Sequence, residues 1–442
     1  MQGLALWLYG LLAWLAQPLL RAKLRRRAVA EPGYAQAVAE RFGRYGAPPP
    51  APGALWLHAV SLGETRAAAL LLRELRALCP GLRVLLTHGT ATGRAEGESL
   101  LQPGDLQCWL PWDTPGATRR FLRHHRPCVG VLLETEVWPQ LAAACRAQSI
   151  PLALVNARLN DKSWRGARRL ALLARPAYAG LAGVWAQSAA DARRLADVGA
   201  PVRAVTGNLK FDFLPDAQQL ACGRRWRDAA ARPVVLLAST REGEESMWLE
   251  VLRSKWPETL SEPTQAAPKF DKPWGRFPVQ WLLVPRHPQR FDEVARLCAQ
   301  AGLSVARRSQ WAPQAALPPD ADVWLGDSLG EMALYYGMAQ VALLGGSFAP
   351  LGGQNLIEAA ACACPVVLGP HTFNFAQAAE LALAAGAAER VADMARGVDV
   401  ALALAQDAAQ RPLRQARSLA FAAGHRGAAR ASAQAIAALL SS

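Results

Sequence analysis

The chain has 442 residues, more than one hydrophobic core usually organises, so its length predicts two domains of ordinary size. It carries 49 Lys and Arg against 35 Asp and Glu, a formal net charge of +14, which favours an anionic partner such as nucleic acid, anionic lipid or a phosphorylated molecule. The eight cysteines contain no CxxC pair, which disfavours a disulfide framework or a zinc site and predicts reduced, mostly buried thiols of a cytosolic protein.

The N-terminal segment differs from the rest of the chain. Residues 3–20 are uncharged and mostly apolar, and residues 21–27 then carry five cations. A cleaved signal peptide has its charges before the apolar stretch, and cations after it place the following chain in the cytoplasm. The segment is at the short limit for a bilayer span, so it either spans or lies in the interface. A buried core helix is the alternative, and the basic cluster fits it poorly.

Beyond a proline-rich linker at 47–53, apolar runs alternate with helical stretches, which predicts an α/β fold. The strands predicted for a first series are 54–58, 82–89, 128–136, 151–158, 183–188 and 202–208. Those predicted for a second series are 233–240, 280–287, 303–309, 322–328, 341–347 and 365–371. Continuous apolar runs suit parallel strands buried on both faces, and ligands of such sheets bind at the carboxyl ends of the strands.

The two series meet around 209–230, and the chain is Ala-rich and helical from residue 400 onward. The proline-rich stretch 255–280 interrupts the second series, so we predict a surface loop there. Two such sheets facing each other would form a cleft at the carboxyl ends of their strands.

Four charged residues of the first series are candidates for chemistry. Glu64, in AVSLGETR (59–66), stands in the first turn of a predicted helix, where it is either a capping charge or a base presented to a substrate. Glu134 and Glu136 follow a buried strand and share a face, an arrangement tolerated at an exposed sheet end or used in catalysis. Lys210, in TGNLKFD (206–212), is one of only six lysines in an Arg-rich chain.

The second series contains no GxG sequence, which excludes the dinucleotide fingerprint, and it has neither a Walker loop nor HExxH. Its stretch LLGGSFAPLGGQNLIEAAA (343–361) instead places two glycine pairs before a helix start. Backbone amides there suit a phosphate, and Glu358 suits ribose hydroxyls. The alternative is a tight turn whose acid stabilises its own helix. Arg286, after the strand of LLVPRHPQRF (282–291), either pairs with a phosphate or is a solvated loop residue.

Together these motifs resemble the 3-deoxy-D-manno-octulosonic acid (Kdo) transferase family. The resemblance rests on ten motifs in family order: SLGE, ETEVWP, NARL, TGNLKFD, STREGEE, VPRHPQRF, GDSLGE, GGSF, GGQNLIEAAA and GPHTFNF. It implies a GT-B glycosyltransferase, with two Rossmann-like domains facing a central cleft and an N-terminal membrane-anchor helix. The implied domains are an anchor with a basic flank at 1–27, an acceptor-side domain at 28–210, and a CMP-sugar-binding domain with C-terminal helices at 211–442.

The resemblance also implies a reaction: inverting transfer of Kdo from CMP-Kdo to the lipid A precursor, lipid IVA, at the cytoplasmic face of the bacterial inner membrane. It implies no metal or cofactor. Glu64 matches the family's general base, and Glu134 and Lys210 match its transition-state stabilisers. The positions that match its CMP contacts are Pro285, Arg286, Leu329, Gly330, Glu331, Asn355, Leu356, Ile357 and Glu358. Arg241 and Gln354 depart from the histidines that members often have there.

Two other functions compete with this prediction. The nearer one is a GT-B transferase that uses another nucleotide sugar. The other is a non-catalytic, membrane-tethered protein that binds anions, which the charge of +14 would suit. Nucleic acid is not expected as a partner, because the aromatic residues do not interleave with a basic stripe as stacking platforms do.

Overall fold

The computed structural model describes residues 2–257, 277–311 and 318–441. Its contacts divide the chain into two compact units, Met1–Asp212 with His425–Ser442, and Phe213–Gly424. We call these the first and the second unit. Each contains a parallel sheet of seven strands among the described residues, with helices between most successive strands, so the predicted α/β class is confirmed.

The sheet of the first unit has the strand order β3-β2-β1-β4-β5-β6-β7. Its strands are β1 (Leu55–His58), β2 (Val84–His88), β3 (Leu106–Trp109), β4 (Val129–Leu133), β5 (Leu152–Ala157), β6 (Gly183–Ala186) and β7 (Val202–Val205). Its helices are α1 (Gln2–Leu15), α2 (Gln17–Ala30), α3 (Leu62–Leu78), α4 (Ala91–Glu98), α5 (Pro115–His125), α6 (Pro139–Ala147), α7 (Asp161–Arg169), α8 (Ala171–Ala179), α9 (Ala189–Asp197) and, from the C-terminal segment, α18 (Ala428–Leu440).

The sheet of the second unit has the order β10-β11-β9-β8-β12-β13-β14. Its strands are β8 (Val234–Thr240), β9 (Gln280–Pro285), β10 (Val305–Arg307), β11 (Val323–Leu325), β12 (Val341–Leu344), β13 (Val366–Leu368) and β14 (Ala388–Arg390). Its helices are α10 (Ala217–Ala229), α11 (Glu244–Lys255), α12 (Phe291–Gln300), α13 (Met332–Met338), α14 (Leu356–Ala361), α15 (Ala376–Ala384), α16 (Met394–Gln406) and α17 (Arg411–Gly424).

The first strand of each sheet in chain order, β1 or β8, lies inside the sheet with a neighbour on both sides. All four residues of β1 are buried, and β8 is buried at six of its seven positions, as expected for strands covered on both faces. In each sheet the strand order reverses beside this strand, because β1 lies between β2 and β4 and β8 lies between β9 and β12. Such a reversal opens a crevice at the carboxyl ends of the strands, where ligands of α/β sheets bind.

The strand predictions missed one strand in each sheet. β3 and β14 are edge strands, three or four residues long, and part of each is exposed. An edge strand has one side without a neighbour, so it does not need the continuous apolar run that marked the central strands. The predicted loop at 255–280 falls mostly at 258–276, outside the described residues.

The last helix lies in the first unit, which corrects the predicted assignment of all of 211–442 to one domain. Helix α18 packs on α3, and Ala429, Ala433 and Ile436 join the core formed by β1 and α3. At its start, the backbone N–H of Ala429 donates to Asp212 Oδ2 at 2.7 Å. The Ala-rich composition of α18 predicted a helix, but it did not indicate which hydrophobic core the helix covers.

The N-terminal segment forms two helices, α1 and α2, that meet at a bend of 48°. Among the described residues no single helix has both the length and the hydropathy of a membrane span, and this bent pair passes that test only when its two helices are taken together. Arg21 of α2 stacks on Phe42, and Arg27 on Tyr34, so α2 contacts the folded part of the first unit.

Candidate active site

Glu64 lies at the start of α3, directly after the loop that follows β1. Ser61 caps the helix, because its hydroxyl accepts a hydrogen bond from the Glu64 backbone N–H at 3.4 Å. The Glu64 carboxylate folds back over the same turn, where Ser61 Oγ donates to Oε1 at 3.0 Å and the Val60 backbone N–H donates to Oε2 at 2.9 Å. This is a variant of the capping box in which the carboxylate reaches the N–H of Val60, the residue before the cap, so the capping role that the sequence suggested is present.

The same carboxylate also has the proton affinity of a base. Burial, together with the nearby charges of Glu134 and Glu136, raises the pKa of Glu64 to about 7, although the hydrogen bonds from Val60 and Ser61 oppose the shift. A carboxylate whose pKa is near neutral is matched to accepting a proton at physiological pH. Helix capping and base chemistry are therefore compatible at this position.

Glu134 and Lys210 form an ion pair at the carboxyl end of β4. Lys210 Nζ donates to Glu134 Oε1 at 3.2 Å, and Arg158 Nη1 lies 3.9 Å from Glu134 Oε2. Glu134 has a φ of 59°, in the left-handed region that non-glycine residues rarely adopt. Backbone strain of this kind concentrates at functional sites. Glu64 follows β1 and Glu134 follows the adjacent β4, so both lie at the strand reversal of the first sheet.

Three side-chain amides, two of them buried, hold the turn that carries Lys210. Asn156, fully buried on β5, accepts a hydrogen bond from the Leu209 backbone N–H at 3.0 Å. Asn208 Oδ1 accepts from the Lys210 backbone N–H at 3.0 Å, and Asn208 Nδ2 donates to Gln187 Oε1 at 3.2 Å. Sequence reasoning missed these three amides. The NARL motif at 156–159 was visible as a family feature, and its role as a support for Lys210 was not.

Glu136 lies beside this ion pair. Trp138 Nε1 donates to Glu136 Oε2 at 3.0 Å, and burial raises the pKa of Glu136, with the charge of Glu134 acting in the same direction. The loop from Glu134 to Trp138 thus carries two carboxylates of unequal environment, one paired with a lysine and one held by an indole N–H.

In the second unit, Glu244 organises the glycine-rich loop. It is fully buried at the start of α11, and its carboxylate accepts four backbone N–H groups. The donors are Arg241 at 2.9 Å, Gly346 at 2.7 Å, Phe348 at 3.1 Å and Ala349 at 3.2 Å. The STREGEE motif indicated only acids at a helix start. The structure shows that Glu244 fixes the loop after β12 next to the end of β8.

Its neighbour Glu245 anchors a second loop. Arg290 donates to both Glu245 oxygens, from Nη1 at 2.9 Å and Nη2 at 3.0 Å, and Thr240 Oγ1 donates to Glu245 Oε1 at 2.6 Å. The loop between β9 and α12, which contains Arg286, is therefore tied to α11. The Arg286 backbone N–H donates to the carbonyl of Thr240 at 3.0 Å, which places Arg286 at the carboxyl end of β9 beside β8.

The loop before α13 carries the predicted positions Leu329, Gly330 and Glu331. Leu329 is 74% exposed, and Gly330 has a φ of 79°, a conformation that glycine adopts without strain. Glu331 is held by Ser328 and by Arg308, whose Nη2 donates to Glu331 Oε1 at 2.7 Å. Glu331 is thus a braced carboxylate beside an exposed apolar side chain.

The remaining predicted positions open α14. Asn355 caps this helix by accepting from the Ile357 backbone N–H at 3.1 Å, and its Nδ2 donates to Glu358 Oε1 at 3.0 Å. The side chains of Leu356 and Ile357 are buried, so these residues offer a ligand only backbone groups. Pro285 ends β9.

The structure therefore brings the predicted residues together in two groups, one in each unit. The first unit gathers the three predicted catalytic residues at the end of β1 and β4. The second unit gathers the predicted nucleotide positions at the carboxyl ends of β9, β11 and β12. Across the parts of the chain that the structure describes, no cluster of three or more His, Cys, Asp or Glu has the geometry of a metal site. All eight cysteines are free, and five are buried.

Comparisons with known proteins identify the family. A family model described as 3-deoxy-D-manno-octulosonic-acid transferase (kdotransferase) matches residues 36–213. The 3-deoxy-D-manno-octulosonic acid transferase of Bordetella pertussis is 51% identical over 398 residues, which cover 88% of this chain and 89% of that protein. The transferase of the same name from Haemophilus influenzae is 32% identical over 378 residues, which cover 83% of this chain and 82% of that protein.

The fold is shared more widely than the sequence. A solved glycosyltransferase from Rickettsia africae aligns with a TM-score of 0.53 at 13% identity, over 88% of this chain and 99% of that one, which shows a common fold alone. The extent and identity of the Bordetella match confirm the resemblance that the motifs predicted. The chain belongs to the 3-deoxy-D-manno-octulosonic acid transferase family of glycosyltransferases.

Proposed function

We propose that this protein transfers Kdo from CMP-Kdo to the lipid A precursor, lipid IVA, with inversion at the anomeric carbon, in lipopolysaccharide core biosynthesis. The observation that carries the mechanism is the Glu64 carboxylate, whose pKa is raised to about 7 at a strand reversal where substrates of α/β sheets bind. Family membership supports the transferred sugar.

Glu64 acts as the general base. It removes the proton from a primary hydroxyl of the acceptor as that oxygen attacks the anomeric carbon of Kdo. The bond from this carbon to the CMP phosphate oxygen breaks, and CMP leaves with the electron pair. The hydrogen bonds from Val60 and Ser61 hold the carboxylate over the first turn of α3, which fixes its direction.

Lys210 and Glu134 stabilise the transition state as a pair. The ammonium offsets negative charge on the Kdo carboxylate or on the departing phosphate, and Glu134 keeps Lys210 in one position through its 3.2 Å contact. Hydrogen bonds to Asn156 and Asn208 hold the turn that carries Lys210 before the reaction begins. The Lys210 ammonium therefore needs to move little when the bond to the phosphate breaks.

The second unit binds the CMP moiety of the donor. Arg286 and the glycine-rich start of α14 receive the phosphate, and Glu358 accepts hydrogen bonds from the ribose. Pro285, Leu329, Gly330, Glu331, Asn355, Leu356 and Ile357 complete the contacts with CMP. We propose no metal and no cofactor, because Lys210 supplies a fixed positive charge beside the candidate catalytic residues of the first unit.

The protein works at the cytoplasmic face of the inner membrane. The apolar N-terminal segment and the basic residues at 21–27 hold it at an anionic surface, where a membrane-embedded acceptor is reached. Nucleic acid is not a proposed partner.

The test is release of CMP from CMP-Kdo by the full chain in detergent with lipid IVA. Glu64→Gln keeps the shape and removes the base, so turnover is expected to fall about 10²–10⁴-fold with an unchanged unfolding midpoint. The matched control is Glu74→Gln, an acid on the same helix α3 paired with Arg73, which should retain turnover.

Each contrary result has a defined meaning. Turnover of Glu64→Gln equal to wild type would leave Glu64 a capping charge. Release from CMP-sialic acid or UDP-sugars and not from CMP-Kdo would identify a transferase with another donor. Binding of anionic lipid with no release from any nucleotide sugar would favour the non-catalytic alternative.

A further inference from the structure

The loop between β2 and α4 packs against the loop that leads to Glu64. Strand β2 pairs with β1, and Gly89 and Thr90 follow it directly. Three groups of this loop donate to the backbone carbonyl of Val60: the N–H of Gly89 at 3.0 Å, the N–H of Thr90 at 2.9 Å, and Thr90 Oγ1 at 3.0 Å. A backbone carbonyl has two lone pairs, so three donors leave this oxygen fully occupied and fixed in direction.

Small residues permit this close approach of the two loops. A Cβ atom on Gly93 would lie 3.0 Å from the Val60 carbonyl oxygen and 3.1 Å from the Ser61 carbonyl carbon, and one on Gly89 would lie 2.6 Å from Val60 Cγ1. The Gly93 backbone N–H donates to Thr90 Oγ1 at 3.1 Å, so Thr90 also caps α4. One hydroxyl group thus joins the start of α4 to the loop before α3.

The peptide group that donates to Glu64 is held at its other end by His88. The Val60 N–H, which donates to Glu64 Oε2 at 2.9 Å, shares this peptide group with the carbonyl of Ala59. His88 Nδ1 lies 3.1 Å from the Ala59 oxygen, and since a carbonyl only accepts, Nδ1 carries the proton and donates. His88 is fully buried, and burial lowers its pKa to about 4, so the ring is neutral at physiological pH.

A buried arginine holds the far side of the loop after β2. Arg41 Nη2 donates to the Gly89 carbonyl at 2.8 Å, and the guanidinium lies 4.0 Å from the centre of the Trp109 ring. The Gly89 carbonyl shares a peptide group with the Thr90 N–H, which donates to Val60. A cation at the carbonyl of a peptide group polarises that group and strengthens its N–H as a donor. The loop is therefore fixed from both sides.

We propose that Thr90 is a positioning residue for the reaction, because its hydroxyl fixes the Val60 carbonyl and so keeps the Val60 N–H directed at Glu64 Oε2. His88 supports the same N–H from the preceding carbonyl. Both peptide groups that flank the Val60 Cα atom are thereby held, and the carboxylate keeps one direction toward a reacting hydroxyl. The inference rests on the proposed role of Glu64 as the base.

The Val60 N–H also favours the charged form of Glu64. Burial and the charges of Glu134 and Glu136 raise the pKa of Glu64 to about 7, against the hydrogen bonds from Val60 and Ser61. If the Val60 N–H turns away, this opposition weakens and the pKa of Glu64 rises further. A higher pH is then needed to form the base, so the acidic limb of kcat/KM moves to higher pH.

No titration of His88 overlaps that of Glu64. Arg41 and Arg94 lie near His88 and lower its pKa in the same direction as burial does. With a pKa of about 4, His88 has lost its proton well below the pH range in which Glu64 changes charge. A shift of the acidic limb therefore reports on Glu64.

The test is Thr90→Val, which keeps the shape of the side chain and removes its hydroxyl. In CMP release from CMP-Kdo with lipid IVA, kcat/KM should fall about 10- to 10²-fold. Its acidic limb should move up by about 0.5–1 pH unit, the equivalent of one hydrogen bond. Thr90→Ser retains the hydroxyl and should restore both values.

Thr114→Val is the matched control. Thr114 Oγ1 accepts the Ala117 N–H at 3.4 Å and caps α5 of the same unit, so this variant loses a helix cap without altering the Val60 carbonyl. Its acidic limb should stay in place. If Thr90→Val behaves as Thr114→Val does, with a lower unfolding midpoint and an unmoved limb, Thr90 only caps α4 and the proposal is overturned. Wild-type turnover and an unmoved limb in Thr90→Val would overturn it equally.

The protonation of Glu64 is also measured without substrate. Infrared difference spectra of the full chain in detergent, wild type minus Glu64→Gln, isolate the carboxyl band of Glu64 across pH. The same difference in the Thr90→Val background should have its midpoint at higher pH. A shifted midpoint in a protein that releases no CMP would disprove the proposed function and leave the control of Glu64 by Thr90 standing. An unshifted midpoint in an active enzyme would overturn this inference alone.

Discussion

Glu64 and Glu244 occupy equivalent places in the two units and have opposite environments. Each follows the first strand of its sheet and stands in the first turn of the next helix. The Glu64 side chain accepts two hydrogen bonds and remains partly exposed, and its pKa is raised to about 7. The Glu244 side chain is fully buried and accepts four backbone N–H groups.

The number of donors decides what each carboxylate is able to do. A carboxylate with all its lone pairs occupied by fixed N–H groups has no room for a substrate proton, and it serves as a brace for the backbone. A partly buried carboxylate that accepts few hydrogen bonds keeps an affinity for a proton. Glu64 and Glu244 thus occupy the same position in their units. The number of hydrogen bonds that each carboxylate accepts decides whether it supports the backbone or keeps an affinity for a proton.

Removal of the brace has the largest expected effect on stability. Glu244→Ala leaves four N–H groups, three of them buried, without an acceptor, so the free energy of unfolding should fall by about 3–5 kcal/mol. Urea denaturation of the full chain measures this loss. Glu242→Ala, an exposed neighbour, is the control and should stay within about 0.5 kcal/mol of wild type. If the Glu244→Ala protein is as stable as Glu242→Ala, Glu244 does not support the backbone and its contrast with Glu64 is wrong.

Lys210→Ala tests the charge pair of the first unit. Glu134 loses its lysine partner and the reaction loses a fixed cation, so turnover with CMP-Kdo should fall about 10²-fold. The unfolding midpoint should change far less than for Glu244→Ala. Lys162→Ala, an exposed lysine of α7, is the matched control. A rise in the donor KM with unchanged kcat would instead assign Lys210 to ground-state binding.

The support beneath Lys210 is tested at Asn156. Asn156→Ala removes the acceptor of the Leu209 N–H and places alanine at a φ of 52°, so the protein should lose about 1–3 kcal/mol of stability together with part of its turnover. Asn156→Gly tolerates the positive φ and lacks only the acceptor. If the glycine variant recovers full turnover, backbone conformation and not the amide positions Lys210.

The smallest expected effect is a shift in pH dependence. The base form of Glu64 is lost as pH falls through about 7, so kcat/KM should rise with pH across that value. Glu136→Gln removes a negative charge that raises the pKa of Glu64, so the acidic limb should move to lower pH, while Glu74→Gln should leave it in place. A limb that moves to higher pH in Glu136→Gln would contradict the assignment to Glu64.

The sequence predicted the central strands well because a parallel strand covered on both faces needs an uninterrupted apolar run. It missed β3 and β14, which are short edge strands with partly exposed residues and no continuous apolar run. It singled out Glu64, Glu134 and Lys210 as motif residues. Their proximity depends on strand order, which reverses between β1 and β4 and is not written in any one segment.

The supporting residues were harder to predict. Glu244 belongs to a run of acids at a helix start, and only its burial distinguishes it from Glu242. Asn156 reads as part of a strand, and its side chain reaches Leu209 some fifty residues away in sequence. Such roles arise from contacts between segments that are distant in sequence, so a local sequence pattern does not predict them.

The return of α18 to the first unit has a consequence for the order in which the chain is made. Residues 213–424 are one continuous stretch, so the second unit can complete its core as soon as residue 424 has left the ribosome. The first unit begins earlier and must wait, with the side of α3 that faces Ala433 and Ile436 uncovered, until residues 425–442 emerge. The first unit is therefore the first to be synthesised and the last to complete its core.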